Sequence, residues 1–453
     1  MTLSPQTDRT PIGVGTRSSK TTLAFRALVC FSFLYFVRPE DFVPGLTHVP
    51  IAKIAGGLSV LALVFGMRSK ERGKLPLECK ILLALLGHMI LSIPFAYWRG
   101  GAFDTVVNKF SKGVIAALLI VLVVSKVNEL RKLLYIQTSA VAAITVASLI
   151  VRHTADGRLM GIQKGMLENP NDLAINIAIN FPLCLAFMFA AKGALRKMTW
   201  LFGLGCMLYA VVATYSRSGM VAMLITGLLC LWEFGVRGRR IVLLFSSGIA
   251  GIIFLAGVLA TPSYLSRMET LIHSTPEGSR QDGTLESYGQ GSVEAREELL
   301  KKSVRIALQH PIFGVGAGNF VVVGGTWHVA HNTYTEIAAE AGFPGIFLFL
   351  WMLGVSLQKI RRVRTLPAYS LNVDIRLWTS ALWAAMGAYL AGAAFASTQY
   401  NLFPYFMVGY IGALYKIAAS PNADLTEGSQ VQDADKGLPG NVANRDREVA
   451  WAR

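Results

Sequence analysis

Charge is scarce in this sequence. Only 15% of its 453 residues are Asp, Glu, Lys or Arg, 53% are hydrophobic, and the mean hydropathy is +0.47. Soluble domains carry about 25% charged residues, so a chain of this length lacks the polar surface for three such domains. That excludes an ordinary cytosolic enzyme and leaves a polytopic membrane protein. Cysteine is scarce too. Cys30, Cys79, Cys184, Cys206 and Cys230 lie within or beside apolar runs and give neither a disulfide framework nor a zinc-ligand spacing. The absence of a Walker motif argues against ATP-driven transport, and Gly314, Gly316 and Gly318 fail the dinucleotide spacing at Asn319. Asp433-Ala434-Asp435 is a metal–nucleotide DxD in form only, since it falls in the polar C-terminal tail. Acidic residues are outnumbered 27 to 43, giving a formal net charge of +16. In a soluble protein that excess would point to nucleic acid, so the position of the positive charges decides.

A helix needs about 20 mostly apolar residues to cross the hydrocarbon core. About twelve runs qualify, near 22–38, 50–67, 80–98, 105–125, 130–151, 171–191, 198–215, 217–235, 240–260, 332–358, 376–397 and 401–419. Every second connection is basic: after runs two, four, six, eight and ten the net charges are +3, +2, +3, +2 and +4, together +14. By the positive-inside rule both termini are cytoplasmic and the other connections face outward. The basic clusters therefore report orientation in the membrane, and no nucleic-acid partner is expected. Residues 1–20 read as a cytoplasmic tail, 21–260 as spans one to nine, 261–331 as an outer loop, 332–419 as spans ten to twelve, and 420–453 as a disordered cytoplasmic tail.

Residues 261–331 form the only long outer connection, and long connections are often functional. Within it, 293–308 reads as an amphipathic helix, with Val293, Leu300, Val304 and Leu308 on one apolar face. Pro311 ends that helix and a glycine-rich turn follows to Phe320. Three residues stand out by position. Arg217, at the outer end of span eight, suits an interfacial anchor or an anion clamp, because guanidinium matches phosphate oxygens as a planar fork. Arg296, at the edge of the apolar stripe, could face the bundle or pair with Glu297 or Glu298; Arg280 and Arg305 are weaker candidates on the same loop. His331 stands with Asn332 before a helix whose N-terminus disfavours imidazolium, so its ring could serve as a base or be a satisfied boundary histidine. His328 could suggest a metal pair, but no third ligand has a recognisable spacing, so no metal or cofactor is expected.

The stretch His331-Asn332, nine residues, Gly342, two residues, Gly345 resembles the H-N-x9-G-x-x-G signature of the bacterial O-antigen ligase family. Arg296 with Leu300 is similar to that family's R-x3-L element, and the run from His310 to Phe320 to its approach. Ser216-Arg217-Ser218-Gly219 is similar to its arginine motif, and Asn169-Pro170-Asn171 to the start of a middle span. The resemblance implies an all-α polytopic membrane protein with a GT-C-like architecture, a catalytic periplasmic loop, and metal-independent inverting glycosyl transfer. The implied donor is a glycan on undecaprenyl diphosphate, held in the membrane lipid. The implied acceptor is lipid A–core, with other glycans or proteins as alternatives. His331 would deprotonate the acceptor, Arg217 and Arg296 would bind the diphosphate and stabilise it as it leaves, and Arg305 and Asn332 would contribute to substrate binding. Polymerases of repeat units and protein O-oligosaccharyltransferases share the histidine-loop pattern, and some relatives are described as inorganic-carbon transporters. A transporter would need a polar series near the midplane; Asn176, Asn180 and His88 form no obvious one.

Overall fold

Apolar composition and the absence of strand periodicity make every long element helical. The computed structural model describes residues 19–39, 51–66, 75–155, 157–162, 167, 169–238, 285–325 and 328–420. In chain order the helices are α1 (Ser19–Val37), α2 (Ile51–Gly66), α3 (Leu77–Ser92), α4 (Arg99–Asp104), α5 (Ser111–Val123), α6 (Val127–Val151), α7 (Pro170–Ala190), α8 (Ala194–Ala213) and α9 (Arg217–Cys230). After these come α10 (Leu285–Gln309), α11 (Phe320–Val323), α12 (Thr333–Val363), α13 (Pro367–Leu371), α14 (Val373–Ala393) and α15 (Phe403–Ala418). A two-residue antiparallel ladder, Thr154–Ala155 with Arg158–Leu159, follows α6.

The protein is an all-α polytopic membrane protein, but seven helices among the described residues are long and apolar enough to cross a membrane, not about twelve. They are Leu77–Phe95, Arg99–Val123, Val127–Val151, Pro170–Ala190, Ala194–Ala213, Arg217–Val236 and Thr333–Val363. The apolar parts of the first two helices, Leu23–Val37 and Ile54–Leu63, are too short. Helix α14 has the length but carries Asp374, Arg376, Thr379 and Ser380 in its first two turns. Helix α15 is only 16 residues long and buried on almost every side, as expected of a helix apolar all round that packs in a core. The run at 240–260, tail residues 1–18 and 421–453, and Arg280 lie outside the described residues.

The core is aromatic where α14 and α15 meet the other helices: Trp378, Tyr389, Tyr405, Phe406 and Tyr410 are fully buried. Buried polar groups are tied into the bundle. Asn176 donates to Asp172 O (2.8 Å), Asn180 to Asn176 O (2.9 Å), Gln137 to Asn180 Oδ1 (3.0 Å) and Tyr410 to Gln137 Oε1 (3.1 Å). This ladder satisfies the residues that a solute path would need free. At the basic end of α12, Lys359 pairs with buried Glu78 (2.6 Å) and Arg364 with buried Glu233 (2.8 Å).

Helix α10 starts earlier than the periodicity predicts and turns a different face inward. Leu299, Ser303, Ile306 and Ala307 are buried, whereas Leu300, Val304 and Leu308 are exposed. Two stripes offset by one residue compete in this helix. The inner one wins because Val315, Phe320, Ala330 and Ala339 offer it an apolar surface.

Candidate functional site

The start of α9 is built by capping. Ser216 Oγ accepts from Gly219 N (3.0 Å) and donates to Asn171 Oδ1 (2.7 Å), a serine N-cap that satisfies an orphan helix donor. Asn171 Oδ1 also accepts from Arg158 Nη2 (3.1 Å), while Arg158 Nε donates to Thr214 O (3.0 Å). Asn169 caps α7 by accepting from Asn171 N (2.9 Å). The Asn-Pro-Asn turn and the Ser-Arg-Ser-Gly turn are thus one structure, and it fixes Arg217 as the first residue of α9.

The start of α12 is built the same way. Asn332 Oδ1 accepts from the backbone of Tyr334 (3.0 Å) and Thr335 (3.1 Å), and its Nδ2 donates to Ala394 O (3.1 Å). Thr333 Oγ1 donates to Ala396 O (2.6 Å) and accepts from Thr398 N (2.9 Å). One turn into the helix, buried Glu336 accepts from Ala330 N (2.7 Å), Gln399 Nε2 (2.8 Å) and Ser397 Oγ. Between these anchors His331 adopts a left-handed backbone, φ +53°, which costs a residue other than glycine about 1–3 kcal/mol.

The two glycines of the signature serve a kink in α12. Gly342 has φ +69° and ψ −174°, and a Cβ there would lie 2.4 Å from Ile312 O. The kink, with Pro344 following, opens three carbonyls that outside groups take up. Val315 N donates to Ala339 O (2.9 Å), Gly316 N to Glu340 O (3.0 Å), and His88 Nε2 lies 2.7 Å from Ala341 O. Phe343 N donates outward to Pro311 O (2.7 Å). Gly314, at φ +65°, lets the glycine-rich turn lie against this opening, 2.3 Å from Glu340 C to its absent Cβ. Glu340 accepts from Phe320 N (3.0 Å) and Tyr400 OH (2.6 Å).

Arg217, Ser218, Arg296, Leu300, His331 and Asn332 line one cleft of about 340 Å³, with Ala394 and Phe395 on its wall. Glu297 reaches the cleft as well, but it pairs with Lys301 (2.6 Å) rather than with Arg296. Burial, the neighbouring Arg296 and then His328 push the His331 imidazole down to about 4, so the ring is neutral near pH 7. Burial also lowers Arg296, although a guanidinium stays charged in any protein environment. Arg305 and His328 are exposed and lie outside the cleft. Among the described residues no group of three or more His, Cys, Asp or Glu is arranged to hold a metal ion.

Sequence reasoning missed Arg158, Glu336 and Glu340. The glutamates had a readable signal, since two carboxyls four residues apart in an otherwise apolar span are costly and mark a special environment.

The fold and cleft define a multi-pass membrane protein that presents two guanidinium groups and a neutral imidazole at one end of its bundle. Residues 202–350, which include Arg217, Arg296, His331 and both signature glycines, match the family model described as O-antigen ligase. It is also 29% identical over 248 residues to the teichuronic acid biosynthesis protein TuaE of Bacillus subtilis (strain 168), a match covering 52% of this chain and 48% of that protein. The chain thus spans about half the length of this relative.

Proposed function

We propose that the chain is an inverting glycosyltransferase that polymerises a lipid-linked glycan, taking the growing or incoming unit from undecaprenyl diphosphate. The observation that carries this reading is the shared cleft of His331, Arg296 and Arg217. His331, neutral and partly buried, takes the proton from an acceptor hydroxyl as that oxygen attacks the anomeric carbon. The bond from this carbon to the diphosphate breaks on the opposite face, and its electron pair leaves with the lipid diphosphate. Arg217 and Arg296 bind that group and neutralise the charge it gains, without a divalent ion. Asn332 helps to shape the cleft beside His331.

Membrane geometry supports the reading. From Gly342 to Val363, α12 is about 33 Å long at 1.5 Å per residue, close to the ~30 Å hydrocarbon thickness. The residues before Gly342 would then stand above the hydrocarbon, with the cleft at the headgroup level, where a lipid diphosphate sits. The basic residues Lys359, Arg361, Arg362 and Arg364 lie at the opposite end of the helix, which by the positive-inside rule supports a cleft on the periplasmic side.

The relative's role in making teichuronic acid favours polymerisation. The family description favours a second reading, ligation of the glycan to lipid A–core. Purified protein reconstituted with undecaprenyl-diphosphate-linked repeat units separates the two. A ladder of lengthening lipid-linked glycans supports polymerisation, and transfer only to added lipid A–core supports ligation. If His331→Ala, Arg217→Ala and Arg296→Ala insert normally and keep full transfer, the assignment of the cleft is wrong.

A further inference from the structure

The left-handed backbone at His331 needs neighbours that hold it, and the chain supplies one on each side. Asn332 is bonded to Ala394 O (3.1 Å). Ala330 donates its N–H to Glu336 Oε2 (2.7 Å), and the same carboxyl is bonded to Ser397 and, at 2.8 Å, to Gln399. Both ties therefore lead to the 394–399 segment, whose Ala394 and Phe395 form the cleft wall. Glu336 is 3% exposed and is not among the residues lining the cleft. Three donors offset the cost of burying its carboxyl.

We propose that Glu336 is a positioning residue for the base: it fixes the backbone at Ala330, and through it the His331 ring, against the 394–399 wall. It acts by accepting hydrogen bonds. Gln399 Oε1 is buried without a partner among the described residues, so a flipped Gln399 amide can accept from a new side-chain amide at position 336. An amide there can therefore replace the carboxyl, and a methyl group cannot.

The experiment uses the full-length protein in nanodiscs, with Glu336→Ala and Glu336→Gln compared to wild type. Hydrogen exchange over residues 328–332 should speed up about tenfold or more in Glu336→Ala, as expected when a tertiary tie on a loop is lost. The kinetic arm rests on the transfer reading. There, kcat should fall about 30-fold or more while KM for the lipid-linked donor stays within about twofold, because the base is misplaced and the arginines are not. Glu336→Gln should restore both within about threefold of wild type, which a role in charge alone would not allow. Unchanged exchange and kcat in a folded Glu336→Ala overturn the proposal, and so does a Glu336→Gln as impaired as Glu336→Ala. If Glu336→Ala does not fold, Ser397→Ala and Gln399→Leu remove the partners and keep the carboxyl. Losses of about 3–10-fold in kcat support the proposal, and full activity in both overturns it. Wild-type protein that transfers no glycan would sink the transfer reading, while the exchange result would still decide the role of Glu336.

Discussion

The acid limb of the pH–rate profile is the sharpest consequence of the cleft's electrostatics. An unperturbed imidazole with a pKa near 6.5 is only about 3% neutral at pH 5. With His331 pushed down to about 4, about nine-tenths of it is neutral at pH 5, so roughly 30-fold more neutral imidazole is available to the proposed reaction. Activity as kcat/KM, which reports the free enzyme, should therefore hold through pH 5 and fall with an apparent pKa near 4. In the complex with a lipid diphosphate, added negative charge favours imidazolium, so the limb for kcat should lie higher than that for kcat/KM. Arg296→Gln removes one cation beside the ring and should move the kcat/KM limb upward, but not to 6.5, because burial is the larger cause. The sign for stability follows from the same shift. Between about pH 4 and 6.5 the unfolded chain binds a proton here that the folded chain does not, so this contribution to stability falls as the pH drops through that window. The assay is initial-rate transfer with a lipid-linked donor across pH 3.5–8, normalised for each variant. A kcat/KM limb between pH 6 and 7, unmoved by Arg296→Gln, refutes the reasoning.

Other perturbations test the scaffold. Gly342→Ala places a Cβ 2.4 Å from Ile312 O at φ +69° and should cost about 2–5 kcal/mol through strain and overpacking, read as a large fall in the detergent-solubilised melting temperature. Gly354→Ala in the same helix meets nothing within 4 Å and should leave stability unchanged or raise it by up to about 1 kcal/mol. Asn171→Ala removes the acceptor shared by Ser216 and Arg158. It should cost about 1–3 kcal/mol and lower kcat/KM without moving the acid limb, because it disturbs Arg217 and not His331. Lys359→Met strands the buried Glu78 carboxylate and should cost about 3–5 kcal/mol, with most of it recovered in the Glu78→Gln, Lys359→Met double variant. Activity per folded molecule should not change in either, since the pair sits at the far end of α12.

The fold was legible as a class and not as a count of spans. Hydropathy measures how apolar a segment is, not whether lipid or protein surrounds it. Helix α15 is as apolar as a span because Tyr405, Phe406 and Tyr410 form the centre of the core, and its 16 residues betray it only when the ends are known. In α14 the misleading feature is the reverse: a long run whose polar first turns were counted with its apolar remainder. Helix α10 shows the limit of periodicity. Its sequence holds two stripes one residue apart, and the choice between them is made by Ala339 and Phe320, which lie outside it.

The site divides differently. His331, Arg217 and Arg296 stood out because ionisable groups at the end of an apolar bundle are chemically out of place, and one cleft brings them together with Asn332. Arg305 has the same chemistry one face away and is exposed, so residue type alone did not discriminate. The roles of the supporting groups were not legible, because most of them have an ordinary local reading. Ser216 is a helix cap, Asn171 a turn residue, and Arg158 a half-buried cation in a two-residue ladder. Their shared hydrogen bonds join positions 45 and 13 residues apart, and the tie from Asn332 to Ala394 spans 62. Glu336 and Glu340 are costly in an apolar run, but what they hold is visible only once the 394–400 segment returns to bond both. An ionisable group can be noticed from what it costs to place, but what it holds is recognised only from its partner. In this protein the partners of the His331 loop arrive on the irregular segment after α14, well beyond the reach of any local motif.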